Sequence, residues 1–330
     1  MGDTAMGGTR SERIERMDDR MNDRMYDVLV VGSANADLTV RVDRRPGAGE
    51  TVLGTDLVES AGGKGANQAA AAARLGARTA LLAKVGDDAF GELLLEGQRE
   101  AGTELRHVLV EAGARTGTAM IVVGPDGDNS IVVSPGANAR LLPEDVEAAR
   151  EVIAASAVVS LQLEIPPATV RAAAETAREA GTRVVVNPSP APDRLDPELL
   201  VAADPLVVNE HEARHLTQLV DGTPQAWARS LRDQGARSVV VTLGSAGALA
   251  LEAGAAEAVA VPGVKAEAVD TTGAGDAFTG ALAARLAVGA SLPDAARFAV
   301  RVGAAAVTRP GAQPSYPTLD ELPPEPGQFT

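Results

Sequence analysis

The sequence predicts an α/β protein with a mainly parallel central sheet, helices on both of its faces, and a small β-sheet lid. Three observations carry that reading. From about residue 145, short apolar runs alternate with Ala-rich helical stretches, the βαβ rhythm of a parallel sheet wrapped by helices. Two stretches nearer the N-terminus alternate apolar with polar residues, which suits strands wet on one face rather than a doubly covered sheet. Hydrophobic residues make up 45% of the 330 and aromatics only 2%, so Ala, Val and Leu must fill a large core.

Taken in order, regular structure begins at "DVLVVGSAN" (27–35), a buried strand that emerges into a loop of small polar residues. "DLTVRVD" (37–43) and "ETVLGTDLVES" (50–60) are the half-exposed strands, and "GANQAAAAARLGA" (65–77) is a helix closed by Gly76. "TALLAKVGDD" is another buried strand, and "TGTAMIVVGPDGDNSIVVS" (116–134) is a hairpin whose "PDGDN" supplies turn chemistry. Then come the strand "AVVSLQLE" (157–164), the helix "PATVRAAAETAREAG", and the strands "TRVVVNPSP" and "LVVNE" (206–210), the last leading into the helix "EARHLTQLV". "TPQAWARSLRDQG" is a helix, and "RSVVVTLGSAGALAL" gives a strand, a Gly-rich turn and a second strand. The helix from Ala277 and the helix "LPDAARFAVRVGAAAVT" close the series. We expect a disordered leader over 1–26 and one α/β domain over 27–318. Lid strands are inserted at approximately 37–60 and 116–134, and a tail follows over 319–330.

Composition excludes several functions. A formal charge of −15 speaks against a sequence-independent grip on nucleic acid, although local amides can still hold a small anion. With no cysteine there is neither a disulfide framework nor a thiolate metal site. His211 and His215 have the i,i+4 spacing of metal ligands but no third ligand to join them, so a solvated helix face explains them better. No run of eighteen apolar residues is present, and the polar leader has no signal-peptide core, so a cytoplasmic protein is expected. Gly2 invites a myristoylation reading that Met6 defeats, and Met17, Met21 or Met25 could serve as the translation start.

Ligands of open α/β sheets sit at the carboxyl ends of the strands. There this sequence places Asn35 and Asp37, Glu164, Asn187, then Asn209, Glu210 and Glu212, then Gly244, Ser245 and Gly247. Any one of these reads as a turn former or helix cap. Five strand ends carrying such residues together point to a site. Asn35, Asp37, Asn67 and Glu164, with the glycines and Lys64 of "AGGKGANQ" (61–68), suit a polyol. "TLGSAG" (242–247) and "DTTGAGDAFTG" (270–280) are small-residue loops suited to phosphates and a flat base. In the second, bare backbone precedes Asp276 where a helix begins, and the amides of a helix N-terminus attract anions. A carboxylate beside an anion hole suggests proton removal next to a phosphate. Neither G-x-x-x-x-G-K-[ST] nor G-x-G-x-x-G after the first strand is present, which weighs against P-loop enzymes and Rossmann dehydrogenases.

"VVGSANAD" with "AGGKGANQAAAAARLGA", and "VDTTGAGDAFTGAL", resemble the two hallmark motifs of the ribokinase-like (phosphofructokinase B-type) sugar kinases. "SPGANARL", "LQLEIP", "NPSPAP", "VVNEHEA", "VTLGSAG" and "AVTRPGAQPS" extend the likeness, in order, from about Val28 to Ser315. The resemblance implies an ATP-dependent kinase with D-ribose as acceptor; the alternatives are a kinase of the same family acting on another pentose, deoxyribose or a nucleoside, and a sugar- or nucleotide-binding regulator without catalysis. Asp276 would be the catalytic base, and the amides of Gly273, Ala274 and Gly275 the anion hole. Asn35, Ala36, Asp37, Gly63, Lys64, Gly65, Asn67, Glu164 and Asp276 would bind the sugar. Asn209, Thr242, Leu243, Gly244, Ser245, Ala246, Gly247, Gly275, Asp276 and Val300 would line the ATP site. Glu212, with Asn187, would lie near Mg²⁺. Asp270, Thr272, Ala306, Arg309, Gly311 and Ser315 match a monovalent-cation site for K⁺, built mostly of backbone carbonyls. The lid would pair two subunits into a homodimer. Three positions depart from the family pattern: Val300 would leave adenine only an apolar contact, and the small Ser60 and Ala61 would loosen the sugar pocket.

Overall fold

The computed structural model describes residues 24–126 and 128–322. The expected leader up to residue 23 and the expected tail from residue 323 lie outside the described residues. Tyr26 already opens the first strand, one residue before the expected domain start. Leu319–Glu321 forms a 3-10 turn that an Arg309–Glu321 ion pair of 3.0 Å ties to the body, so ordered chain runs past residue 318.

The main sheet comprises β1 (Tyr26–Val31), β4 (Thr79–Gly86), β5 (Val108–Glu111), β8 (Ser156–Leu161), β9 (Arg183–Val186), β10 (Ala203–Asn209), β11 (Val239–Thr242), β12 (Gly247–Leu251) and β13 (Val259–Pro262). Their spatial order is β13-β12-β11-β10-β9-β8-β1-β4-β5. Every pairing from β11 to β5 is parallel, and only the β11–β12 and β12–β13 pairs at one edge are antiparallel. β4 is buried at all eight of its residues, the condition under which a strand needs no alternation.

Alternate residues of β1 feed two separate cores. Val28 and Val30 pack with helices α1 (Lys64–Arg74), α2 (Ala89–Ala101), α9 (Ala274–Ala287) and α10 (Leu292–Ala306). Leu29 and Val31 pack with α3 (Pro143–Ala148), α4 (Arg150–Ala154), α5 (Pro167–Ala180), α6 (Pro197–Ala202), α7 (Glu210–Thr217) and α8 (Pro224–Asp233). Helices therefore cover both faces, as the sequence predicts. Alanine dominates the first core, and small residues let α1 and α9 approach closely: a Cβ added at Gly280 would lie 2.5 Å from the backbone oxygen of Gln68. That contact matters for the site.

The second sheet is the lid: β2 (Asn35–Arg41), β3 (Val58–Gly62), β6 (Gly117–Val123) and β7 (Asn129–Ser134), in the order β3-β2-β6-β7. β2 and β6 run parallel, whereas the other two pairs are antiparallel. Two boundaries differ from the sequence expectation. β2 begins at Asn35, not Asp37, because Asn35 pairs with both Gly62 and Gly117. Of 50–60 only the last three residues are strand; 50–57 is exposed chain without regular structure, held where Thr55 N donates to Arg41 O at 2.9 Å. Helices α2, α3, α4 and α6 and strands β5 and β13 were not anticipated. They are short or weakly patterned, apart from α2, whose "GELLLEGQ" breaks the apolar run with glycine.

Candidate active site

Because β1, β8, β9, β10 and β11 are parallel neighbours, their carboxyl ends form one rim. The residues that end or follow them are Ser33 and Asn35, Gln162 and Glu164, Asn187, Asn209, and Thr242 with Gly244. Helix α9 aims its N-terminus at this rim. Its N-cap is Gly273, at φ 72°, where a Cβ would meet the Tyr316 hydroxyl at 2.5 Å and Ala312 Cβ at 2.7 Å. Glycine is required there for backbone conformation and for space. Tyr316, fully buried, donates its hydroxyl proton to Gly273 O at 3.1 Å. Burial, then the nearby Asp276 and Asp37, push its phenol well above the usual range, so it stays a neutral donor.

The first turn of a helix leaves its amides without intrahelical partners. Of the three expected for the anion hole, Ala274 N is partly engaged by Thr271 O at 3.3 Å, and Gly275 is exposed with open space where its side chain would be. Asp276 follows on the same turn and is buried. Its Oδ2 accepts from Asn67 Nδ2 at 3.0 Å and its Oδ1 from Gln68 Nε2 at 3.2 Å, both donors lying on α1.

The expected acceptor residues gather around it. Glu164 Oε2 accepts from Ser33 Oγ at 2.6 Å and from the backbone N–H of Lys64 at 3.1 Å. Asn35 Oδ1 accepts from Asn138 Nδ2 at 2.7 Å, which leaves the Asn35 amide N–H₂ as the group able to face a ligand. Gly63, at φ 87°, caps α1 where a Cβ would lie 2.6 Å from Asn35 N, and Gly65 packs as tightly on Ser33 N. Ala36 is fully buried. Burial, then the charges of Glu164 and Asp276, push the Asp37 carboxyl up to about 7 against the relief that Lys64 gives. Burial works against the charge on Lys64, but Asp276, Glu164, Glu212 and Asp37 outweigh it and hold its ammonium above the usual lysine range. One cation among several carboxylates is an arrangement that gains from hydroxyl donors.

The remaining expected residues lie on two loops, at a helix start and on helix α10. Leu243 leads from β11 into a 3-10 turn, Gly244–Ala246, whose Gly244, Ser245 and Ala246 are exposed beside a half-buried Thr242. Gly247 turns the chain back at φ 102°. Asn209 and Glu212 form a capping box at the start of α7: Asn209 Oδ1 accepts from Glu212 N at 2.8 Å, and Glu212 Oε2 from Asn209 N at 2.9 Å. The capping reading thus holds for both, with one Glu212 oxygen left over. Val300 is buried in the core and presents little surface to a base. Asp270 Oδ1 accepts from Thr272 N at 2.9 Å and Oδ2 from Gly311 N at 2.8 Å, which pins the 270–272 loop to the segment holding Ala306, Arg309, Gly311 and Ser315. Its burial is outweighed by these hydrogen bonds and by Arg41, which hold its carboxyl below the usual range. Among the described residues no cluster of three His, Cys, Asp or Glu side chains is placed to hold a metal ion.

The family model for the pfkB family carbohydrate kinases matches residues 25–319. The chain belongs to that family. The kinase is 38% identical to a ribokinase of Mus musculus over 301 residues, 90% of this chain and 93% of the relative. It is 37% identical to a deoxyribokinase of Salmonella typhi over 299 residues, 90% of this chain and 97% of the relative. A solved Arabidopsis thaliana ribokinase, complexed with ribose and ATP, superposes with a TM-score of 0.81 at 34% identity, covering 88% of the kinase and 95% of that chain.

Residues that sequence reasoning did not single out surround the expected ones in the candidate site: Ser33, Gln68, Asn138, Ser160, Gln162, Gln313 and Tyr316. Gln313 Nε2 donates to Asn67 Oδ1 at 3.0 Å, and Gln98 Nε2 to Gln313 Oε1 at 3.1 Å. Gln68 and Gln162 stand beside residues that were chosen, but hydrogen bonds between segments a hundred residues apart leave no local pattern. Their burial alone could have drawn attention, since buried amides need partners.

Proposed function

We propose that this kinase transfers the γ-phosphoryl group of ATP to the primary hydroxyl, O5, of D-ribose, giving D-ribose 5-phosphate and ADP. The observation that carries the reading is Asp276, buried at the N-terminus of α9 between the first-turn helix amides and the cluster of Asn35, Asp37, Lys64, Asn67 and Glu164. Asp37 and Glu164 accept from sugar hydroxyls, while Asn35 and Asn67 donate. The O5 proton passes to Asp276 as the O5–P bond forms and the bond from the γ-phosphorus to the bridging oxygen breaks, leaving ADP. Charge on the transferring oxygens is met by the amides of Gly273, Ala274 and Gly275 and by the α9 dipole, electrostatic stabilisation in a preorganised site. A positioned base of this kind is worth roughly 10²–10⁴ in rate.

Mg²⁺ and K⁺ fit the residues present. With few carboxylates on the nucleotide side, Mg²⁺ would arrive with the ATP phosphates, near the spare oxygen of Glu212 and near Asn187. The oxygen-only donor set of Asp270, Thr272, Ala306, Arg309, Gly311 and Ser315 suits a hard monovalent cation, which would lend positive charge to the anion hole. The exposed turn at Gly244–Ala246, flanked by Thr242, Leu243 and Gly247, gives adenosine a ledge. We further propose that the kinase acts in the cytoplasm as a homodimer joined through the lid.

Deoxyribose is the second reading, favoured by the Salmonella relative's identity, close to that of the mouse ribokinase. A panel of pentoses, hexoses and nucleosides, assayed for ADP release with ATP, Mg²⁺ and K⁺, tests the choice. The highest kcat/KM is expected on D-ribose; a higher value on deoxyribose or a nucleoside overturns it. Replacing K⁺ by Na⁺ is expected to lower the rate.

A further inference from the structure

Asp276 is gripped from one side by two successive residues of α1. Asn67 belongs to the acceptor set, but Gln68 does not: it is fully buried and reaches no solvent. All of its amide's hydrogen-bonding capacity is nevertheless used. Oε1 accepts from Ser160 Oγ at 2.8 Å and from Gln162 Nε2 at 2.6 Å. Nε2 donates to Asp276 Oδ1 and to Asn187 Oδ1, each at 3.2 Å. The amide orientation follows from two of these partners, because a flipped Gln68 would set its carbonyl against the Asp276 carboxylate and against Asn187 Oδ1, an oxygen oriented by the bond from Asn187 Nδ2 to Val207 O.

The anchors are themselves fixed. Ser160 lies within β8 and Gln162 just beyond it, while Asn187 follows β9 and donates Nδ2 to Val207 O on β10 at 3.0 Å. The backbone of Gln68 is equally constrained, since its carbonyl sits against Gly280 of α9, the helix that carries Asp276. Side chain and main chain of one residue thus tie the carboxylate to the sheet rim and α1 to α9.

We propose that Gln68 is a positioning residue for phosphoryl transfer: it sets the plane of the Asp276 carboxylate by hydrogen-bonding Oδ1 to a frame anchored on the ends of β8 and β9. This rests on the reading of Asp276 as base. A misplacement of about 1 Å at a reacting group costs on the order of 10²-fold in rate, whereas binding tolerates it. A glutamine that merely filled a polar hole would affect stability and leave the ratio of kcat to KM alone.

The test is Gln68→Met, close in length and unable to donate or accept at that position. With D-ribose, ATP, Mg²⁺ and K⁺, kcat should fall by roughly 10²-fold while both KM values stay within about twofold, in protein shown by its melting curve to be folded at the assay temperature. A kcat near that of the wild type, or a loss carried by KM, overturns the proposal. If Gln68→Met does not fold, Ser160→Ala decides: it frees one side of the Gln68 carbonyl, so a several-fold fall in kcat at constant KM supports the proposal and an unchanged kcat refutes it. Asp276→Asn, assayed alongside, separates the two readings. Substantial turnover in that variant removes the base itself, whereas an inactive Asp276→Asn with a fully active Gln68→Met removes only the role of Gln68.

Discussion

Asp37 shows how a single residue is placed against its own stability. Folding lifts its carboxyl from an ordinary value of 3.8 to about 7, through burial first and then through Glu164 and Asp276. The native state therefore holds this proton more tightly than the unfolded chain, and the group's contribution to stability falls as pH rises from about 4 to about 7. Asp37→Asn is accordingly expected to raise the melting temperature of the ligand-free protein at pH 8. The gain should fade towards pH 4, where the native state carries the proton and the unfolded chain begins to take it up. Thermal scans at the two values check it, and a lower melting temperature at pH 8 would contradict the assignment. In the active enzyme the sugar KM should rise as pH drops below 7, because a protonated Asp37 accepts fewer hydroxyl protons. Most of the proposed acceptor residues could be picked out in the sequence for a local reason: Asn35, Asp37, Lys64, Asn67 and Glu164 stand directly after apolar runs or inside a Gly-rich stretch. The second layer was not legible. Asn138 orients Asn35 from 103 positions away, and Gln313 orients Asn67 from 246 positions away. Only folding brings such partners together.

At the scale of elements, the site is a helix N-terminus facing a parallel sheet edge, and its fit depends on backbone approach. Gly273 is the clearest instance. Gly273→Ala puts a Cβ on a left-handed residue and drives it against Tyr316 and Ala312, so a loss of roughly 1–3 kcal/mol is expected. The displaced first turn of α9 should also lower kcat more than it raises the KM for ribose. Denaturant melts and steady-state kinetics check both; wild-type stability would mean that the N-cap is not strained. The sequence located α9 and its small-residue approach because D-T-x-G-A-G-D is contiguous. It misjudged 50–57, where apparent alternation runs through Gly54, a residue packed on Val40 and Arg41 O as exposed loop rather than strand. Periodicity reports which side chains face a core, and a loop that crosses a sheet can imitate it.

For the whole molecule, the order of strands was out of reach of local patterns, although the fold class was not. Which parallel strands neighbour one another follows from crossover connections that no short window contains, whereas the hairpin from β11 to β12 was legible as a strand, a Gly-rich turn and a second strand. The lid is the part left unfinished. Met120, Ile131, Val132 and Val133 on β6 and β7 and Val58 on β3 are exposed at 44–61%, a concentration of apolar surface more typical of an interface than of an open sheet. Light scattering is expected to give twice the chain mass of 33.6 kDa, and the pair Met120→Lys and Val132→Lys to give the monomer. A monomeric wild type would contradict lid pairing and leave the catalytic account standing.

The proposed transfer of the O5 proton to Asp276 is tested most directly by rapid-quench single turnover of Asp276→Asn. With enzyme in excess over ATP and saturating D-ribose, the chemical step is expected to slow by roughly 10²–10⁴-fold while ATP affinity stays close to that of the wild type. A variant that forms ribose 5-phosphate within a few-fold of the wild-type rate would contradict it.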